Sequence, residues 1–402
     1  MQQPRLNLRA VLFVALAGTL RASTVPDGPL DLGTLGGTES WASAFNHREV
    51  VGFSYTAGNA TYHAFRWTRE GGMVDLGAPG GTHSFAQGVN RSGQIVGYSF
   101  TADYGAARAF SWTESGGFVD VGTLGGNFGF ALAVNAGGQV VGHSNPAGTP
   151  SYHAFSWTEA AGMVDLGTLG GATSYAVAVN NRGQVVGFSS VTGNGSERAF
   201  SWTEAGGMVD LGTLGGASSF PAAVNGRGQV VGVSDTANNE QRRAFLWTEA
   251  GGMVDLGSLG STETQATAVS DDGRVVGFSY TANLEPRAFQ WTQVEGMVDL
   301  GTLGGYASFA YGVNSRGQVT GMSYTAQNEP HAFMWTQATG MVDLGTLGGS
   351  SSGAGSVNAR GEVIGYSKTA GDTETHAVLW PGPDSTREVT QGMRALESDS
   401  AP

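Results

Sequence analysis

The feature that most constrains this 402-residue chain is a unit of 44–45 residues that occurs eight times. Stacked units of this kind bury their faces mainly against one another, so they form one body and not several independent domains. Three columns of residues define the unit: a tryptophan, a glycine that ends runs such as QVVG, and an aspartate in runs such as DLGTLGG. The tryptophans are Trp67, Trp112, Trp157, Trp202, Trp247, Trp291, Trp335 and Trp380. The glycines are Gly52, Gly97, Gly142, Gly187, Gly232, Gly277, Gly321 and Gly365. The aspartates are Asp31, Asp75, Asp120, Asp165, Asp210, Asp255, Asp299 and Asp343.

Each unit contains four short runs rich in Val, Phe, Tyr and Trp, with turn residues between them, which predicts four antiparallel strands. We name these runs a to d in chain order; in one unit they are Tyr175–Asn180, Gln184–Ser189, Arg198–Thr203 and Met208–Gly212. The a–b turn follows the pattern Asn-x-x-Gly, which suits a type I turn that ends in a left-handed glycine. About 45 residues and four strands per repeat are typical of a propeller blade. The predicted fold is therefore all-β, an eight-bladed β-propeller of four-stranded antiparallel blades over residues 29–380.

The columns are out of phase with the ends of the chain. The first aspartate precedes every tryptophan of the series, and the last tryptophan has no aspartate after it. The run PLDLG at 29–33 matches run d, so we predict that it pairs with 376–380 and closes the ring, which removes free sheet edges. The alternative closing segment is TREVT at 386–390, which lacks Asp-Leu-Gly. We expect residues 381–402 to form a disordered tail.

The first 24 residues differ in composition from the repeats. Arg5 and Arg9 precede an apolar stretch from Ala10 to Leu20, and small residues follow it. This pattern resembles a secretory signal peptide and predicts an extracellular or periplasmic protein; the alternative is a poorly ordered N-terminal arm. The apolar stretch is too short to span a bilayer, and no later segment is a candidate for a transmembrane segment.

Composition narrows the possible functions. The chain has no cysteine, so neither disulfides nor a thiolate metal site hold it together. Its net charge of −13 argues against a nucleic-acid partner, because phosphate binding needs a basic surface. Catalysis needs different groups with separated roles in one pocket, whereas near-identical units present the same groups repeatedly. We therefore predict a monomeric protein that is not an enzyme and that has no catalytic residues, no cofactor and no metal.

The recurring motifs carry a family resemblance. The runs DLGTLGG and HAFxWT…GGMVDLG resemble the HAF-type bacterial extracellular repeat, and the His-Ala-Phe triplet itself occurs at His63–Phe65, His153–Phe155 and His331–Phe333. Arg replaces the His in four other units, and Val378 replaces the Phe in the last one. The resemblance implies an exported bacterial repeat protein of mostly unassigned role, and it transfers no catalytic residue.

Two of the columns are candidates for sites as well as for structure. The tryptophan column is predicted to be core packing, with a ring of sugar-stacking platforms as the alternative. The residue before Ala-Phe is always basic, so we predict that each aspartate contacts the basic residue of its own unit. The alternative is that these columns form a ring of metal ligands, but His, the ligand that such sites would need, is absent from half of the units.

The units differ most in their b–c loops, and scaffold folds usually carry function on such loops. We predict a binding or scaffold module for a protein or glycan partner. The alternatives are a carbohydrate-active propeller hydrolase or lyase, a structural envelope or matrix component, and loops with no partner at all. The candidate binding residues are the aromatics of these loops and of the adjoining strand ends: Tyr55, Tyr62, Phe100, Tyr104, Tyr152, Tyr280 and Tyr324.

Overall fold

The computed structural model describes residues 28–193, 195–239 and 241–382, which form 32 strands and three 3-10 helices. Strands a are β2 Gly36–Phe45, β6 His83–Val89, β10 Gly125–Val134, β14 Gly170–Val179, β18 Gly215–Val224, β22 Gly260–Val269, β26 Gly304–Val313 and β30 Gly348–Val357. Strands b are β3 Glu49–Thr56, β7 Ile95–Phe100, β11 Val140–Pro146, β15 Val185–Val191, β19 Val230–Thr236, β23 Val275–Thr281, β27 Val319–Thr325 and β31 Val363–Thr369.

Strands c are β4 Tyr62–Thr68, β8 Ala107–Thr113, β12 His153–Thr158, β16 Glu197–Thr203, β20 Arg242–Thr248, β24 Pro286–Thr292, β28 Pro330–Thr336 and β32 Thr375–Trp380. Strands d are β5 Gly72–Gly77, β9 Gly117–Gly122, β13 Gly162–Asp165, β17 Gly207–Asp210, β21 Gly252–Asp255, β25 Gly296–Asp299, β29 Gly340–Asp343 and, for the last unit, β1 Leu30–Asp31. The 3-10 helices Ala57–Asn59, Ala237–Asn239 and Ala370–Asp372 lie in b–c loops. The predicted signal peptide (1–24), the rival segment (386–390) and the predicted tail beyond residue 382 lie outside the described residues.

Each unit is an antiparallel meander, as the turn chemistry predicts. In the fourth unit Tyr175 lies opposite Phe188, and Phe200 lies opposite both Gly187 and Asp210. Strand a is longer than predicted, because the glycines of the link continue it back to Gly170, with register shifts on the way. Strand d of this unit is shorter than predicted and ends at Asp210, where a side-chain hydrogen bond turns the chain.

The sheets extend beyond single units. The described strands form three sheets of eight strands and two of four, and none of these sheets closes on itself. The larger sheets arise where strand c of one unit pairs in parallel with strand a of the next, for example Ala107 with Phe128 and Thr375 with Glu39. The predicted four-stranded antiparallel blades are joined in parallel at these junctions, because the d–a link brings the start of strand a beside the preceding strand c.

The core lies between neighbouring units. In the cluster formed by the third and fourth units, Val141, Ala154 and Leu166 pack against Ala176 and Phe200. Small side chains at the alanine positions let the sheets approach closely, and each further pair of neighbours repeats the arrangement. The two faces of each unit are thus covered only when like units stand on both sides.

The tryptophan column lies at the edges of these clusters. Trp67, Trp157 and Trp380 are buried, and the other five are half-buried against the same clusters. Trp380 is 1% exposed and donates its indole N–H to the carbonyl of Leu344 at 2.8 Å. The column therefore packs as core in this structure and does not form a set of open platforms.

The two ends of the described chain pair with each other in the register that the sequence predicts. Leu30 lies opposite Leu379 and Asp31 opposite Val378, in antiparallel orientation. The amide of Ala377 donates to Ser40 Oγ at 2.8 Å. The same amide-to-hydroxyl bond joins other neighbouring units, such as Ala199 to Ser219 at 2.9 Å, so the last unit contacts the first through a bond that most neighbouring units share.

Candidate functional site

The aspartate column has a local structural role. In all eight units the aspartate Oδ1 accepts a hydrogen bond from the backbone N–H of the glycine two residues later, at 2.6–2.8 Å. Strand d ends at this turn in six units and continues to the glycine in β5 and β9, and the shared hydrogen bond explains why the position is never varied.

Four of the aspartates also contact a histidine of the same unit. The pairs His63–Asp75, His153–Asp165, His331–Asp343 and His376–Asp31 have N–O distances of 2.7–2.8 Å. Arg198 approaches Asp210 at 3.9 Å. The predicted contact between aspartate and basic residue is therefore present in these five units. Across the described ranges, no group of three or more His, Cys, Asp or Glu side chains is placed to hold a metal ion.

In the His376–Asp31 pair, each side chain shifts the pKa of the other. The hydrogen bond to Asp31 raises the pKa of His376 above its ordinary value, against the effect of burial. Burial alone would raise the pKa of Asp31, but hydrogen bonds from His376 and from the amide of Gly33 hold it below its ordinary value. The pair joins residues 345 positions apart.

Four of the seven predicted binding aromatics gather at the b–c end of the first two units. Tyr55 stacks on Tyr62 with ring centroids 3.7 Å apart, and Phe100 lies 5.7 Å from Tyr104. His83 links the two pairs, 6.4 Å from Tyr62 and 5.2 Å from Tyr104, whose hydroxyl lies 2.9 Å from His83 Nε2. We call these five residues the rim patch.

Polar groups border the rim patch. Tyr62 donates its hydroxyl to Glu39 Oε2 at 3.2 Å. Burial, the hydrogen bond with Tyr55 and the Glu39 charge together raise the pKa of Tyr62, which keeps it a protonated donor. Burial lowers the pKa of His83, so its ring is mostly neutral at pH 7 and one ring nitrogen accepts while the other donates.

The remaining predicted aromatics lie elsewhere. Tyr152 packs against His143 at 5.3 Å, Tyr280 lies 6.3 Å from Phe278, and Tyr324 lies 4.5 Å from Tyr306. Of the seven, Tyr104 is the most open, at 53% exposure, and the others are half-buried. His83 escaped the prediction because it begins strand a and does not belong to a loop.

A second candidate site lies at the opposite end, among the a–b turns. A cavity of about 1090 Å³ opens where the first unit meets the last, and we call it the junction cleft. The repeat pattern of the sequence does not predict this cavity. Its charged lining consists of Arg48, Arg66, Arg69, Arg316, Arg360, Glu49, Glu70, Glu114 and Glu362, with His47 beside them.

The repeat is broken on the first-unit side of the cleft. In the third unit Asn135 donates to Gln139 Oε1 at 3.0 Å, and Gln139 Nε2 donates to Ser156 Oγ at 2.9 Å. The second and fourth units have the same neutral relay. In the first unit Glu49 and Arg66 replace the glutamine and the serine, and Arg66 Nε donates to Glu49 Oε2. The first a–b turn also lacks the glycine.

The last unit carries the same type of change. Glu362 stands in place of the glutamine and accepts from Asn358 Nδ2 at 2.7 Å. Its other oxygen lies 3.3 Å from Arg69 Nη2 of the first unit. Elsewhere a turn asparagine donates to the carbonyl of the next turn, as Asn135 does to Asn180 at 3.1 Å. At this junction an ion pair crosses from unit to unit instead.

Comparison with known proteins bears on the fold. The β-propeller domain of the Trilobed protease from Pyrococcus furiosus is similar over 77% of this chain and 98% of that domain, at 12% identity and a TM-score of 0.50. The fold is a β-propeller. No family model matches the chain, and no curated protein sequence matches it. Among the described residues, no helix has the length and apolar character needed to cross a membrane.

Other similar solved structures bear on the prediction that the chain is not an enzyme. One is a puromycin hydrolase mutant, with 15% identity and a TM-score of 0.46 over 88% of this chain. Another is the Pyrococcus horikoshii acylaminoacyl peptidase, with 10% identity and a TM-score of 0.47 over 84% of this chain. The prediction that this chain is not an enzyme is therefore wrong as an exclusion, because the proteins of similar structure include a hydrolase and a peptidase. The likeness covers 60% and 59% of those two chains, and at such identities it describes the fold alone.

Proposed function

We propose that this chain is an exported eight-bladed β-propeller of the HAF-repeat type that acts as a binding or scaffold module. Eight sequence units with four strands each support the blade count. The pairing of Leu30–Asp31 with 378–379 supports closure of the ring by the first described strand. The apolar stretch near the N-terminus supports export, and Edman sequencing of the protein recovered outside the cytoplasm tests it.

The rim patch is the observation that carries the binding function. Aromatic faces supply large contact area at low entropic cost, and polar groups at their edges fix the orientation of a ligand. Tyr104 has a fixed backbone, because its φ is +57 and its amide donates to the Thr101 carbonyl at 2.9 Å. The same left-handed turn occurs in the b–c loops of five other units, so it belongs to the repeat, and what distinguishes Tyr104 is the exposed aromatic ring that the turn carries.

A glycan is the ligand class that this chemistry fits best. Stacked rings offer faces to the apolar side of a sugar, while the Tyr62 hydroxyl, Glu39 and His83 offer donors and acceptors to its hydroxyl groups. The −13 net charge favours a neutral glycan over a polyanion.

The test is a glycan array followed by calorimetry with the best ligand. Tyr104→Ala should weaken binding at least about 10-fold, as removal of an interface aromatic commonly does. Tyr306→Ala is the matched control, because Tyr306 is also exposed (49%) but lies outside the rim patch. Equal affinity of the intact chain and Tyr104→Ala for that ligand would refute the assignment.

Two further outcomes of this test have a defined meaning. If no glycan on the array binds, and a protein partner binds the intact chain but not Tyr104→Ala, the rim patch is a site for a protein ligand. Release of a reducing sugar from the bound glycan would make the patch a substrate site of an enzyme.

A further inference from the structure

We propose that the glycan ligand of the rim patch is a chain of several neutral sugars, and that it continues along the same rim to a pocket between the fourth and fifth units. We call this pocket the serine pocket, and its polar lining consists of Thr173, Ser190, Ser196, Glu197 and Ser218. The inference rests on the glycan-binding function proposed above and adds the length and the course of the ligand.

A row of aromatic rings connects the rim patch to this pocket. Phe130 lies 6.1 Å from Phe100 of the rim patch. Tyr152 follows at 6.1 Å from Phe130, and Tyr175 at 5.9 Å from Tyr152. All three rings are half-buried, so each keeps part of its surface open. We call Phe130, Tyr152 and Tyr175 the aromatic track, and a row of such platforms suits the successive rings of a sugar chain.

The aromatic track is held in place from below and belongs to one side of the molecule. The ring of His143 packs against Tyr152 and Tyr175, with centroids 5.3 and 5.0 Å away. On the other side of the described body, the longest row of aromatic contacts has three rings and is centred on Phe278. A row that spans several units is therefore not a property of the repeat.

The serine pocket arises at one position of the repeat. The last residue but one of strand b, or the last, is aromatic in four other units: Tyr55, Phe100, Tyr280 and Tyr324. The fourth unit carries Ser190 at this position, opposite Glu197 of strand c. The space that an aromatic ring would fill remains open. The resulting pocket has a volume of about 480 Å³, which is within the ordinary range of ligand sites.

The serine pocket offers hydroxyl groups and an unpaired carboxylate. Glu197 is half-buried, and its carboxylate forms neither an ion pair nor a hydrogen bond with the residues that the structure describes. Ser190 Oγ accepts from the Thr173 amide at 2.9 Å, which fixes this hydroxyl. Ser218 Oγ accepts from the Glu197 amide at 3.3 Å. A carboxylate accepts hydrogen bonds from sugar hydroxyls and repels an acidic sugar, so the pocket suits a neutral one.

The aromatic track and the serine pocket are contiguous. The amide of Ser174 donates to the carbonyl of Tyr152 at 2.8 Å, which places Tyr152 beside Thr173 of the pocket. Burial and the nearby charge of Glu197 raise the pKa of Tyr175, so its hydroxyl remains a protonated donor at the end of the track. One ligand can therefore contact the rim patch, the track and the pocket together.

The experiment is titration calorimetry of the full chain with two series of glucose oligomers. One series runs from maltose to maltoheptaose, which coil, and the other from cellobiose to cellohexaose, which are straight. In at least one series the affinity should rise at least about 10-fold from the disaccharide to the longest member, because the added sugars contact further parts of the same site. The series that shows the rise tells whether the bound chain is coiled or straight.

Glu197→Gln tests the far end of the site. It should weaken binding of the longest oligomer about 10-fold, as expected when a hydrogen bond to a charged group is lost, and leave the affinity for the disaccharide at the rim patch unchanged. Glu329→Gln is the matched control, because Glu329 is an exposed carboxylate in the b–c loop of the seventh unit. Tyr152→Leu removes a ring of the track but keeps an apolar side chain, and it should also weaken binding of the longest oligomer only. Equal thermal midpoints of Glu197→Gln and its control show that the fold is intact.

Failure of this inference differs from failure of the rim-patch assignment. Affinity that depends on Tyr104 but not on oligomer length would overturn the extended site and leave the rim patch as a site for a short glycan. An equal response to Glu197→Gln and Glu329→Gln would have the same meaning. No binding of either series by the intact chain would also overturn the inference, whereas the rim patch would still be decided by its own test on the glycan array.

Discussion

Replacing Gly187 by alanine tests why the glycine column exists. A Cβ built on Gly187 lies 2.0 Å from the backbone oxygen of Tyr175 and 2.7 Å from Phe200 Cζ. The equivalent glycines of the other seven units show the same approach, with a backbone oxygen 1.8–2.1 Å away. Since the obstacle is the backbone of the paired strand a, a change of side-chain rotamer does not relieve it.

The expected cost follows from this distance. An ordinary contact begins at 3.4 Å, so strands a and b of the fourth unit must move apart by about 1.4 Å at this point or the backbone must distort. Either movement breaks the close packing of Ala176 and Phe200 against the preceding unit. Overpacking a well-packed core costs about 1–3 kcal/mol, and a clash with backbone belongs at the upper end. We expect a loss of about 3 kcal/mol in the free energy of unfolding.

The assay is equilibrium unfolding in urea, followed by tryptophan fluorescence. Gly195→Ala serves as the control, because a Cβ there meets nothing within 4 Å. It should leave the midpoint unchanged or slightly raised, since alanine restricts the unfolded chain more than glycine does. Equal midpoints for the two variants, with unchanged slopes, would refute the steric account of the glycine column.

Three further predictions concern the core, pH and the paired ends. Trp380→Ala should lower the free energy of unfolding in urea by about 3–5 kcal/mol, because it empties a buried site and leaves the Leu344 carbonyl without its donor. The same change at half-buried Trp202 should cost less, and equal losses would contradict the burial argument. Burial lowers the pKa of His143 to about 4, so its contribution to stability should be full above pH 6.5 and fall by up to about 3 kcal/mol as the pH drops towards 4. Melting temperatures measured across this pH range should depend less on pH in His143→Phe. An unchanged dependence in that variant would exclude His143 as the cause. Deleting residues 1–35 should lower the melting temperature and promote self-association in light scattering, because it exposes the edge of β32; an unchanged, monomeric product would place the closing strand elsewhere.

Much of the fold could be predicted because its causes are local. The Val- and Phe-rich composition of runs such as Val185–Val191 and the Asn180–Gly183 turn specify strands and hairpins without knowledge of distant residues. The pairing of 29–33 with 376–380 followed from the phase of the repeat. The role of the aspartates was also within reach, since an aspartate followed two residues later by a glycine is a common turn.

The junction cleft could not be predicted in the same way. Arg69 and Glu362 are 293 residues apart, and only the arrangement of the units in space brings them together. A sequence signal did exist, because the first a–b turn, Asn46–Glu49, lacks the glycine and carries glutamate where most units carry glutamine. The columns that the units share carry no information about such departures, which concern single residues of one unit.

The contact between Asp31 and His376 constrains the order in which the chain folds. It spans 345 residues, whereas the equivalent contact between His153 and Asp165 spans 12. Closing the longer loop in an otherwise unfolded chain costs about 3 kcal/mol more in chain entropy, by the logarithmic dependence on loop length. Once the intervening units have stacked, the two ends are already neighbours and this penalty disappears. Folding should therefore spread from unit to unit, with the seam between the two ends forming last and opening first.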